Sequence, residues 1–183
     1  MPSAGMGDER SEASRALELD SRFWRFALRG YARPGVSPLC ITLQDENGID
    51  LNLLLFAGWC GSIGRRLEAE DIESAATHVA AWSEAVVTKL RQARRAWKEL
   101  GPAEPAAQAG RETLKSVELL SERLVCAMLH DIHGRLGAPA TESDPPSRIV
   151  AANLMLVLTG SGADPARAGE ACALLTEACL AVS

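Results

Sequence analysis

Four polar side chains crowd the entrance to the most apolar stretch of this chain. Gln44 and Asp45 precede a turn at Asn47-Gly48, and Asp50 and Asn52 follow it. Carboxylates and amides gathered at the lip of a hydrophobic helix could line a small-ligand pocket, with Trp59 two turns further on. The same residues also have a purely structural use. Asp50 can cap the helix that begins at Leu51, and Gln44 and Asn52 can satisfy backbone groups bent around the turn.

Two basic stripes are the second candidate. Arg22, Arg25, Arg29 and Arg33 recur at steps of three, four and four, and Arg91, Arg94, Arg95 and Lys98 share one face of a later helix. Guanidinium forks suit planar anions, so the expected ligand is a phosphate group, an acidic protein partner or nucleic acid. The alternative is a pair of solvated faces, partly neutralised by the acidic run from Glu68 to Glu73.

His130-Asp131-x-His133 raises a metal site, but only His78 and scattered carboxylates are left to complete one. No metal is expected, and the pair reads as surface imidazoles near a helix C-terminus, where the cationic form is favoured. No histidine stands beside a nucleophile motif. Gly58-x-x-Gly61-x-x-Gly64 lacks the preceding strand and the lysine or acidic partner of a nucleotide loop. No catalytic residue and no cofactor are therefore expected. Cys40, Cys60, Cys126, Cys172 and Cys179 are odd in number, form no Cys-x-x-Cys pair and sit among apolar neighbours. They read as reduced, buried thiols of a cytoplasmic protein. Trp24, Trp59 and Trp82 fall on apolar faces and read as core, whereas Trp97, among basic residues, could stack on a ligand.

The 183 residues are 47% apolar and 23% charged, an ordinary globular balance, and the net charge of −5 argues against general nucleic-acid binding. Residues 1–19 are small, polar and charged, so a loose tail is expected there rather than a signal peptide. The longest apolar run, Leu51 to Cys60, is far short of the roughly 18 residues of a membrane span.

Helical periodicity dominates, and nothing reads as a strand. A first helix is expected from a cap at Asp20 or Ser21 to Ala32, stopped by Pro34-Gly35. A short second helix is capped by Ser37, with Pro38 at its first position, and ends at Asn47-Gly48. The third, Leu51 to about Cys60, has no polar face and must be covered on all sides. A fourth helical stretch begins over Glu68 to Ala80, and a longer amphipathic run, a fifth helix, follows to Leu100, its stripe carried by Val79, Trp82, Val86, Leu90, Ala93, Trp97 and Leu100. After a linker to Gly110, a long helix spans about Glu112 to Leu136 with Leu114, Val117, Leu120, Leu124, Met128, Ile132 and Leu136 in line. Residues 137–147 form a flexible connection, and a helical pair occupies 148–182. The expectation is an all-α, compact bundle of about seven helices: a domain from residue 20 to 183, with a core at 20–136 and the helix 51–60 central.

Phe23-Trp24-x-Phe26-Ala27-Leu28, then Tyr31-x-x-Pro34-Gly35-Val36, then Leu43-Gln44-Asp45-x-x-Gly48-x-Asp50-Leu51-Asn52-Leu53-Leu54-Leu55-Phe56-x-x-Trp59 form an unusual pattern. With Trp82 and the basic run to Lys98, it resembles a family of short, helical bacterial proteins of unknown function over roughly residues 22–136. The resemblance implies a helical cytoplasmic protein and carries no catalytic residues. The expected role is a non-enzymatic binding or adaptor protein using a basic helical face. The alternative is a small-ligand binder or enzyme with a pocket near residues 44–59. A homo-oligomer joined through the C-terminal helical pair is a third arrangement.

Overall fold

The computed structural model describes residues 16–101, 104–141, 143–162 and 164–183; most of the expected N-terminal tail lies outside them. The chain is all-α. Its helices are α1 (Arg22–Tyr31), α2 (Val36–Asn47), α3 (Leu51–Ser62), α4 (Ala69–Trp82), α5 (Thr88–Leu100), α6 (Pro105–Ile132), α7 (Pro146–Gly160) and α8 (Pro165–Leu180). A π-helical turn, Ser83–Val87, joins α4 to α5 in one continuous rod, so the eight segments form seven rods.

Helix α3 is the hub. Leu53, Leu54, Phe56, Ala57, Gly58, Trp59, Cys60 and Gly61 are all buried, as expected for a helix without a polar face. It packs most extensively on α7, and α1, α4, α6 and α8 surround it. A Cβ on Gly61 would lie 2.6 Å from the Val150 Cα, so only glycine lets α3 and α7 approach this closely. Helix α3 therefore continues through both glycines to Ser62 instead of ending at Cys60. Val150, Leu154, Val157 and Leu158 of α7, with Ala168, Ala171, Cys172 and Leu175 of α8, join the same buried core.

Three boundaries differ from the sequence expectation for identifiable reasons. Helix α2 starts at Val36 rather than after a Ser37 cap. Gly35 takes up a left-handed conformation (φ 80°) that turns the chain directly into the helix, and Pro38 falls within the first turn, where its missing N–H costs nothing. The expected linker to Gly110 is largely helical: α6 opens at Pro105, a proline suited to the first helical turn, and runs on through an alanine-rich stretch. Arg65–Arg66 and Ala138–Pro139 pair as a two-residue antiparallel ladder where no strand was expected. The Arg65 guanidinium secures this crossing by donating to the carbonyls of Gly134, Leu136 and Gly137. Those carbonyls follow the C-terminal end of α6, where backbone acceptors lack helical partners.

A completely buried amide ties the hub together. Asn153 on α7 accepts from the Leu67 N–H at 3.0 Å and donates to the Ala57 and Arg65 carbonyls at 3.1 and 2.9 Å. An asparagine inside the apolar run from Ile149 to Leu158 is tolerated because its hydrogen-bonding groups are matched.

Candidate functional site

The polar lip and the basic face of α5 are parts of one seam. Asp50 caps α3, its Oδ1 accepting from the Asn52 and Leu53 N–H groups at 2.8 and 3.3 Å. Asn52 turns its side-chain oxygen to α6 and accepts from the Cys126 thiol at 3.7 Å. Asp45, at the end of α2, pairs with Arg95 of α5. Trp59 is buried beneath the lip rather than facing it. The Nε2 of Gln44 is buried without a hydrogen-bond partner among the described residues.

Two glutamates that sequence reasoning passed over complete the seam. Glu118 and Glu122 lie one turn apart on α6, facing α5. Glu118, 6% exposed, takes a two-point contact from the Arg94 guanidinium, and Arg91 Nε stands 3.5 Å from its Oε1, which Arg94 Nη2 shares. Arg91 Nη2 donates to Glu122 at 2.6 Å. Burial pushes the Glu122 carboxyl up from its ordinary range, the Arg91 hydrogen bond opposes that shift, and the charges on Glu118 and Asp50 add to it. The bond to Glu118 holds the Arg94 guanidinium even more firmly protonated. Arg91, Arg94 and Arg95 thus face carboxylates of their own chain. Their seam braces the α5–α6 hairpin against the turn between α2 and α3.

Helix α1 presents its arginines differently. Arg25 pairs with Asp20 at 2.9 Å, its side chain about half exposed. Arg22 and Arg29 on α1, and Arg33 in the bend just after it, are exposed and have no ion-pair partner among the described residues; the helix ends at Tyr31, so it carries three of the four expected arginines. Arg123 of α6 borders this face, its guanidinium 5.8 Å from the Trp24 ring centre and its Nε donating to the Leu19 carbonyl. The two basic stripes therefore do not merge into one surface, and Lys98 is exposed near the far end of α5.

His130 and His133 are not free surface groups, whereas His78 is exposed. His130 and His133 stack at 4.9 Å between ring centres, and both lie against Trp59, at 5.4 and 4.9 Å. Trp59 in turn stacks on Phe23 at 5.4 Å. Burial first, then the neighbouring His133, lower the His130 pKa, with Arg22 adding to the effect against Glu18 and Asp131. Burial thus disfavours the cationic form of His130 that its place near a helix C-terminus suggested. Among the described residues no group of three or more His, Cys, Asp or Glu side chains could hold a metal ion.

The cysteines are reduced and buried. Burial pushes the thiols of Cys40 up to about 11 and of Cys60 and Cys179 up to about 12, and raises those of Cys126 and Cys172. None is activated as a thiolate nucleophile, which requires a lowered value. Among the described residues no helix is long and apolar enough to cross a membrane.

An all-helical bundle with an apolar central helix and an internally neutralised α5–α6 seam is the class of protein these observations define. The chain belongs to a family of proteins of unknown function, DUF2390, whose profile matches residues 22–129, more than half of its length. No curated protein and no solved structure matches the chain.

Proposed function

We propose that this protein is a non-enzymatic binding module that engages an acidic protein partner through α1. The observation that carries this reading is the contrast between the two stripes. The α5 arginines are matched by carboxylates, whereas Arg22, Arg29 and Arg33 stand in water without an ion pair among the described residues. Leu28, 47% exposed between them, adds an apolar anchor of the kind that sits inside a charged rim. In a chain of net charge −5, a local cationic face favours an acidic ligand by position rather than by overall charge.

The test is binding of a fluorescent polyglutamate peptide and its dependence on salt. The native chain should bind with an affinity that falls as salt rises, and the triple variant Arg22→Glu, Arg29→Glu, Arg33→Glu should lose binding. Equal binding by the triple variant refutes the reading.

A second reading rests on Gln44 alone. Its partnerless buried Nε2 supports a ligand acceptor at the lip, near Asp50 and Asn52. A thermal-shift screen of metabolites on native and Gln44→Leu chains tests it. A stabilising compound that loses its effect in the variant supports the lip as a pocket.

A further inference from the structure

The α5–α6 hairpin has two unlike sides. One carries Arg91, Arg95 and Glu122 and faces the turn between α2 and α3. Helical spacing puts Ala93 and Leu100 on the opposite edge of α5, with Val86 of the π-helical turn preceding them, and Val117, Leu120 and Leu124 on the matching edge of α6. That edge is where an amphipathic helix would meet its core, yet Leu100 is 84% exposed, Leu120 51%, Val117 45% and Trp97 41%. Helix α5 has no buried residue, and its packing is against α6 and the π-helical turn. Two amphipathic helices lie side by side with a shared apolar face in water.

We propose that a second copy of this chain covers this face, two hairpins packing across a two-fold axis as a four-helix bundle. The arrangement is isologous, so both apolar edges are covered by the same contact and the assembly closes at two copies. The size fits. The four exposed large side chains, with the exposed alanines between them, form a patch of the few-hundred-Å² scale that often marks an interaction site, and a two-fold contact around it extends toward the ~800 Å² per partner of an ordinary specific interface. Ala93, Ala96, Ala106 and Ala109, all exposed, keep the face flat enough for close helix approach. Charge is sparse there, as in interface centres. With the hairpins antiparallel, Lys89 near the base of one lies beside Glu99 and Glu104 at the tip of the other, so the rim is complementary.

Sedimentation of the full chain, with circular dichroism in parallel, tests the proposal. The native protein should sediment at twice its 19.5 kDa chain mass. Leu100→Glu with Leu120→Glu should weaken association by roughly a hundredfold or more and leave the helical spectrum unchanged, because the association would bury unpaired carboxylates. Should that variant lose helix, Ala93→Arg replaces it: an exposed position in a helix that accepts arginine, with the same expected loss of the dimer. A native chain that sediments as a monomer overturns the proposal, and so does a dimer that persists in a folded variant. The α1 triple reversal should leave the dimer intact, so the test is independent of the binding role given to α1.

Discussion

Neutralising Glu118 decides whether the α5 arginines brace the fold or stand ready for a ligand. Glu118→Gln keeps the shape and one acceptor oxygen but removes the charge that Arg94 grips at two points and Arg91 approaches at 3.5 Å. A hydrogen bond to a charged group contributes about 1.5–3 kcal/mol, and breaking a fully buried ion pair costs about 3–5 kcal/mol. The arginine side chains here are 21% and 27% exposed, so water recovers part of that loss. The expected destabilisation is about 2–3 kcal/mol, read as a drop of about 1 M in the urea midpoint or about 5–10 °C in Tm for a domain of this size. A double-mutant cycle with Arg94→Gln should return a coupling of about 1–2 kcal/mol, since the two changes remove one shared contact. A loss under about 0.5 kcal/mol with additive single changes would refute the reasoning: the seam would then be a solvated face with its arginines available.

Asn153→Leu, with the same branching but greater bulk, removes two buried hydrogen bonds and one partly buried one and strands the Leu67 N–H; we expect a loss of about 3–4 kcal/mol by urea unfolding, against under about 1 kcal/mol if the amide is incidental. The His130 pKa is lowered in the folded chain, so the unfolded chain takes up that proton first. Stability should fall as pH drops below the ordinary histidine value of 6.5, and His130→Phe, which keeps the stack on Trp59, should flatten that part of the urea-midpoint profile. The five cysteines should resist iodoacetamide in the native protein at neutral pH and all react in guanidinium, as counted by mass spectrometry; rapid native labelling of any one would contradict its burial. Reversing Arg91 and Arg94 to Glu sets four carboxylates in one partly buried seam and should cost more than about 4 kcal/mol, whereas reversing Arg22, Arg29 and Arg33 should stay within about 0.5 kcal/mol per position.

What could be read from the sequence was what depends on neighbours along the chain. Ser21 and Asp50 cap their helices as expected, because a cap needs only its own side chain and the N–H groups two or three residues ahead. Gly48 ends α2 with φ 66°, and the apolar run after Asp50 is central because no face of it tolerates water. Pro105 was harder to read: a Pro/Ala/Gly segment suits a linker and a helix start equally, and the helical outcome depends on α6 finding α5 to pack against. The stripes from Leu90 to Leu100 and from Leu114 to Leu124 have the spacing of core positions, yet spacing does not say whether the covering element belongs to the same chain.

The arginines make the same point about function. As sequence, Arg22-Arg25-Arg29-Arg33 and Arg91-Arg94-Arg95-Lys98 are equivalent: four cations on one face of one helix. Their difference arises entirely across the fold, where α6 brings Glu118 and Glu122 under α5 while α1 turns its basic side to water. A signal for this did exist, since two glutamates one turn apart beside an otherwise apolar stripe must be matched if that side is buried. The matching cations had to come from another helix, and Arg91 and Arg94, three residues apart, carry the complementary spacing. Whether a charge is available to a partner depends on what the fold has already set against it, and by that measure the unmatched arginines are those of the α1 stripe rather than those of α5.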